Sequence, residues 1–140
     1  MLVYGQWNII AGKEKMSMKI QESSEMYLET ILVLSHKNPQ VRSIDVVNAL
    51  DFKKSSVSVA MKKLRENGYI EMDNQGYIKL TDKGQEIAET MFERHIFFSD
   101  WLIKLGVDQT VAVEDACRIE HVISPQSFAA IKNYVKDAKS

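Results

Sequence analysis

Cysteine is close to absent from this chain, proline is scarce, and neither sign of charge is in excess: 140 residues hold one Cys, two Pro and a formal net charge of -1. A lone thiol excludes an intramolecular disulfide and fits a reducing cytoplasm. The missing charge bias excludes a global basic field, so any contact with nucleic acid must come from a local patch. No apolar run approaches the roughly 18 residues that a membrane span needs. The start, M-L-V-Y-G-Q-W-N-I-I-A-G, lacks the basic flank of a signal peptide. What is present is apolar enough to fold. At 45% hydrophobic the chain can bury one modest core, or two small ones sharing an interface.

Residues 1–18 carry neither a helical nor an alternating stripe, and no function is assigned to them. Met16 and Met18 stand directly before the first strong pattern, behind G-K-E-K, and either is an expected translation start. Ser23 or Ser24 then caps a helix running to about His36. Tyr27, Leu28, Ile31 and Ser35 take its core side. Met26, Glu29 and Val33 fall opposite, where a thioether and a carboxylate can meet another element, or simply fill an interface gap and face solvent.

Asn38-Pro39 breaks the chain. Residues 43–50 read as a short capped helix with Ile44, Val47 and Leu50 inward, and 51–54 as a turn. A second helix runs from Ser55 to about Asn67, ended by Gly68 in a left-handed stop. Val57, Ala60, Met61 and Leu64 sit at i, i+3, i+4 and i+7 of this helix, a clean amphipathic register. Two short helices joined by a tight turn make a helix-turn-helix. The hairpin pattern over 69–80, turning at D-N-Q-G, appends a wing. Ser55, Ser56 and Ser58 are small enough to let the second helix approach a major groove. Lys53, Lys54, Lys62 and Lys63 can neutralise phosphates, and Val59 can touch a thymine methyl. The expected partner is therefore a double-stranded DNA operator. A winged helix used for protein contacts is the rival, and the near-zero net charge favours it.

Thr81-Asp82-Lys83-Gly84 opens a long helix that can continue to Gly106. Ala88, Met91, Phe92, Phe98 and Leu102 form its stripe, and His95 sits at the centre of that stripe. An imidazole there needs a backbone carbonyl or a metal to satisfy it. Phe97, Phe98, Trp101 and Leu105 supply more apolar surface than a 16.0 kDa chain covers easily, which predicts a homodimer. A last helix restarts at Ser124-Pro125 with Phe128, Ile131, Val135 and Tyr134 facing inward.

The chemistry concentrates in E-D-A-C-R-I-E-H-V-I-S, residues 114–124. Positions i, i+3 and i+4 share a helix face, so Cys117, Glu120 and His121 project together, with Val113 a turn earlier. Ala112, Ala116, Ile119 and Ile123 form a second stripe that anchors the helix. A thiolate, a carboxylate and an imidazole converging on one point suit Fe, Co, Ni or Zn better than Mg or Ca. The alternative is a half-buried Cys beside a solvated Glu-His pair.

From Ser23 to Ser140 the chain resembles the diphtheria-toxin-repressor family of metal-activated transcriptional repressors, which includes the manganese transport regulators. The likeness rests on E-S-S-E-M-Y-L-E-T-I, S-S-V-S-V-A-M-K-K-L, L-T-D-K-G and E-D-A-C-R-I-E-H-V-I-S, in that order. It implies a mainly α fold in the short, two-domain form: a winged helix-turn-helix over 19–83, then an all-helical metal-binding and dimerisation domain over 84–140. It also implies that Met26, Cys117, Glu120 and His121 occupy the primary metal positions of the iron-type members. His95 matches a ligand of the neighbouring site in those members and a ligand of the manganese type. Glu29 matches a manganese-type ligand, so the chain is a hybrid. Two ancillary iron-type positions are Ser99 and Val113 here, which favours a single site, or two ions sharing Glu29, His95 and Glu120.

The expected function is a metal-activated repressor controlling iron or other divalent-metal homeostasis. A metal bridging the DNA-binding and dimer domains sets the spacing of two recognition helices. Fe(II) is favoured, with Mn(II), Co(II), Ni(II) and Zn(II) as alternatives, and no organic cofactor is expected. Two rivals stand beside this. One is a metalloenzyme, which lacks a spare general base. The other is a winged-helix regulator in which Cys117 senses oxidants without metal.

Overall fold

A computed structural model describes residues 20–138; residues 1–18, with the expected start at Met16 or Met18, lie outside them. The elements are α1 (Ile20–Lys37), α2 (Ser43–Leu50), α3 (Lys54–Glu66), β1 (Ile70–Met72), β2 (Ile78–Leu80), α4 (Asp82–Lys104), α5 (Gln109–Val122) and α6 (Pro125–Ala138). The fold is thus mainly helical with a small two-stranded wing. Among the described residues no helix is long and apolar enough to cross a membrane.

Two compact units divide between Phe92 and Glu93. The sequence pattern divides the chain at 83/84, just inside the start of α4; the first part of that helix, to Phe92, groups with the winged unit.

In the first unit, α1 packs on α2, α3 and β2. Leu28, Ile31, Val46, Leu50, Val57, Met61, Ile70 and Ile78 close its core. Arg42 is the N-cap of α2, and its backbone N–H donates to Asp45 Oδ2 at 2.8 Å, satisfying one of the amides at the helix start. It ends at Asp51 in the left-handed region, φ 55°. Ile44 does not face inward as expected. It is 42% exposed, because α2 docks through Val46 and Leu50, and Ile44 lies about 200° from Val46 around a helix that turns roughly 100° per residue.

The wing pairs Ile70 with Leu80, Glu71 with Lys79 and Met72 with Ile78. Asp73 shapes its turn, with Oδ1 accepting from the backbone N–H of Gln75 and of Tyr77, both at 2.9 Å. A strand-like contact escapes the sequence pattern: Ile78 N–H donates to Val41 O at 2.7 Å, so Val41, two residues before α2, lines up beside β2.

The L-T-D-K-G segment has a physical reason. Thr81 Oγ1 accepts from Gly84 N–H at 3.2 Å and donates to Gly68 O at 2.7 Å, capping α4 and tying it to the end of α3. A Cβ on Gly84 would stand 2.1 Å from Tyr69 O, so glycine is required by close approach. Lys83 Nζ lies 4.4 Å from the Tyr69 ring centroid, where a cation is attracted by the ring face.

The second unit holds residues 93–104 of α4, with α5 and α6. Phe98, Ala116 and Phe128 form its buried centre, flanked by Phe97, Trp101, Ile119 and Ile123. Ring centroids lie 5.3 Å apart for Phe97 and Phe98, and 5.5 Å for Phe97 and Phe128, spacings at which edge-to-face pairs attract. Gly106, at φ 101°, turns α4 toward α5. Asp108 Oδ2 accepts from Thr110 N–H at 3.1 Å to cap α5. Ser124 Oγ caps α6 through Ser127 N–H at 3.1 Å. Tyr134 is 74% exposed instead of inward; it sits about a quarter turn off the Phe128, Ile131, Val135 stripe.

Candidate metal centre

α5 buries Ala112 and Ala116 beside Cys117 and Glu120. The Cys, Glu and His side chains emerge from the helix next to these alanines. His95 approaches from α4, also buried. Its Nδ1 faces two groups at once: Glu120 Oε2 at 3.4 Å and Cys117 Sγ at 3.9 Å. The other carboxylate oxygen, Oε1, lies 3.3 Å from His121 Nε2, and the His121 side chain is 3% exposed. Glu120 is thus held between two imidazoles at 2% exposure.

The ligand atoms of His95, Cys117 and Glu120 all lie within 4.8 Å of one another. Donors sharing a tetrahedral ion at about 2.0–2.3 Å each stand roughly 3–4 Å apart, and the 3.4 Å and 3.9 Å separations from His95 Nδ1 fall in that range, so these residues could hold an ion with small adjustments. The donor set agrees: sulfur, nitrogen and oxygen together suit a divalent transition metal better than a hard ion. Burial pushes the Glu120 carboxyl up, but hydrogen bonds with His121 and His95, and their charge, outweigh it and hold the group below the ordinary carboxylate range. An ionised carboxylate is the form a metal needs.

Met26 and Glu29 lie on α1 in the first unit. Both are buried, Glu29 at 1% exposure, which contradicts a solvated carboxylate. Thr30 Oγ1 donates to Met26 O at 2.8 Å, fastening the turn from which Met26 projects. Val113 is half-buried and Ser99 buried.

The residues expected to meet DNA occupy one face of α3 and its start. Lys53, Lys54, Ser55, Ser58, Val59, Lys62 and Lys63 are exposed, while Ser56 is half-buried and less available. Val57, Met61 and Leu64 hold the other face in the core. Of the residues expected at a dimer interface, Leu105 is 63% exposed, but Phe98 is 2% exposed within its own chain and serves as core. Phe97 and Trp101 pack partly against it, because the aromatics that looked surplus in the sequence close on Phe128. Ile96 and Ile103 are the exposed apolar residues of that stretch. Sequence reasoning also passed over Arg94, buried beside His95. The available signal was a charged residue set inside an apolar helical stripe.

A winged helix-turn-helix followed by a helical unit with a buried sulfur, nitrogen and oxygen cluster is the architecture of a DNA-binding domain joined to a unit whose donors could hold a divalent ion. Residues 19–84 match the N-terminal DNA binding domain of the iron dependent repressors, and residues 81–140 match their metal binding and dimerisation domain. An uncharacterized HTH-type transcriptional regulator of Methanocaldococcus jannaschii is 31% identical over 122 residues, covering 86% of this chain and 98% of its own. The HTH-type transcriptional regulator MntR of Shouchella clausii is 32% identical over 114 residues, 81% of this chain and 80% of its own. Among solved structures, the manganese regulator SloR superposes with a TM-score of 0.72 at 24% identity, and the metal-dependent transcriptional regulator MtsR with 0.74 at 23%. Each likeness covers 81% of this chain and 53% of the other, so the chain spans about half the length of those proteins and the likeness shows the fold. The chain belongs to the iron-dependent repressor family, that of the diphtheria-toxin repressor and MntR, and is a divalent-metal-dependent transcriptional repressor rather than an enzyme.

Proposed function

We infer that metal binding at His95, Cys117, Glu120 and His121, completed by Met26 and Glu29 from α1, switches specific operator binding by a homodimer. The observation that carries this reading is the buried cluster of thiol, imidazole and carboxylate, whose ligand atoms lie within 4.8 Å of one another. When bound, a divalent ion supplies a cationic tie among donors from both units. Met26 and Glu29 give α1 a share in that tie, while the four donors on α4 and α5 anchor it in the dimerisation unit. The separation of two copies of α3 in the dimer is thereby restricted, and half-sites on DNA have fixed helical spacing. A coupling of about 1–3 kcal/mol suffices for such a switch.

Lys53, Lys54, Lys62 and Lys63 hold phosphates in this reading, and Ser55, Ser58 and Val59 face the bases. The sulfurs of Met26 and Cys117 soften the donor set and favour Fe(II), with Co(II), Ni(II) and Zn(II) next. Mn(II), the ion in the names of the solved manganese regulators, is the competing assignment, and Glu29 is the residue that favours it. The regulated process is divalent-metal homeostasis, iron first.

The test uses a duplex selected from a random pool in the presence of metal. Its affinity is titrated anaerobically against Mn(II), Fe(II), Co(II), Ni(II) and Zn(II), for the natural chain and for Cys117→Ala. The expected result is a gain of at least severalfold with Fe(II), most of which disappears in the variant. An unchanged metal response in Cys117→Ala removes Cys117 from the site. A peroxide response that survives full chelation would favour the thiol sensor instead.

A further inference from the structure

Arg94 is the one buried arginine among the described residues, and it neighbours His95 on α4. Its Nη1 donates to Glu120 O at 3.0 Å and to Ile123 O at 2.9 Å. Those carbonyls belong to the last turn of α5 and to its C-cap. α5 has no glycine at this end: Ile123 turns extended at φ -79°, ψ 138°, and Pro125 brings no N–H to the carbonyl four residues before it. The last carbonyls of a helix lack intrahelical donors and carry its negative end. A guanidinium delivered from another helix meets both needs. Its Cζ lies 5.5 Å from the Phe128 ring centroid, so one side chain joins α4, α5 and α6.

The cost of this placement shows in Nε, which is buried with no hydrogen-bond partner among the described residues. The residues it serves are the donors. One end of the clamp is the backbone beside His95, and the other is the carbonyl of Glu120 itself, next to His121. The 3.4 Å approach of His95 to Glu120 spans the same two helices that Arg94 pins.

We propose that Arg94 is a positioning residue of the metal centre: through the carbonyls of Glu120 and Ile123 it sets the last turn of α5 against His95 and so fixes the geometry in which the donors meet an ion. This rests on the assignment of His95, Cys117, Glu120 and His121 as ligands. Removing groups that orient metal ligands costs roughly 10- to 100-fold in affinity, and Arg94 falls in that class although it touches the ligands only through backbone.

The test uses the full chain with Co(II) as a coloured probe. Affinity and the thiolate-to-cobalt absorption are compared in the natural chain, Arg94→Gln, Arg94→Lys and Glu93→Gln, with thermal melting alongside. Arg94→Gln is expected to bind Co(II) roughly 10- to 100-fold more weakly with an altered visible spectrum. Arg94→Lys, which keeps the charge but loses the flat group over Phe128, should fall between. Glu93→Gln breaks the exposed 3.0 Å pair with Lys132 and should leave Co(II) binding unchanged.

A folded Arg94→Gln that melts lower yet keeps natural affinity and spectrum overturns the proposal, since the role is then structural alone. If Arg94→Gln does not fold, Arg94→Lys decides: weaker binding with a shifted spectrum supports the proposal, and natural binding overturns it. A natural chain whose Co(II) spectrum is untouched by Cys117→Ala takes down the ligand assignment first and the proposal with it, a result distinct from failure at Arg94.

Discussion

α3 and α5 are nearly the same length, 13 and 14 residues, and they use it in opposite ways. α3 buries only apolar side chains, Val57, Met61 and Leu64, and turns lysines and small polar residues outward. α5 buries a thiol and a carboxylate with its alanines. A helix whose cations all face water leaves them available to a partner outside the chain. A helix that takes a carboxylate out of water carries a desolvation cost, which a metal can offset and hydrophobic packing alone does not require.

The largest effect expected is on the scaffold under α5. Phe98→Ala should destabilise the protein by roughly 3–5 kcal/mol, the range for truncating a buried phenylalanine, read as a lower urea midpoint. A loss under 1 kcal/mol would mean that the aromatic cluster does not support α5.

Next in size, Glu120→Gln sharpens the comparison directly. It should abolish most of the metal-dependent gain in DNA affinity, about 1–3 kcal/mol. A carboxyl held below its ordinary range in the folded state contributes stability that is present above the unfolded value and is lost as pH falls through the folded one. The metal-free natural chain should therefore weaken as pH drops below the usual carboxylate range, and Glu120→Gln should lack that dependence. Identical acid profiles would show that the two imidazoles do not hold the charge.

The smallest effect belongs to α3. Lys62→Ala should weaken binding to all duplexes alike and reduce the slope of log affinity against log salt by about 0.9, the signature of one lost phosphate contact on B-DNA. Selective loss at one base pair would move Lys62 from phosphate to base recognition.

The difference between the two helices also explains what the sequence could convey. The period of Val57, Ala60, Met61 and Leu64 predicts α3 because one-sided burial leaves a simple stripe, and the wing is legible in its turn residues for a similar reason. Cys117, Glu120 and His121 share a face by spacing alone, but nothing in their own segment separates a buried carboxylate from a solvated one. That information lies in His95, 22 residues before Cys117. Ile44 and Tyr134 depart from the faces their spacing predicts because short stripes tolerate a rotation that only packing fixes. Phe98 looked like surplus surface because Phe128, which covers it, comes 30 residues later in the chain. The Val41 pairing gave no signal at all, since a single residue has no period.

That last contact ties the hairpin to the entrance of the helix-turn-helix. Ile78 belongs to the wing, and the carbonyl it holds is separated from α2 only by Arg42. A force that displaces the hairpin is therefore passed through Val41 to the leading edge of α2, so the wing and the helix-turn-helix share strain.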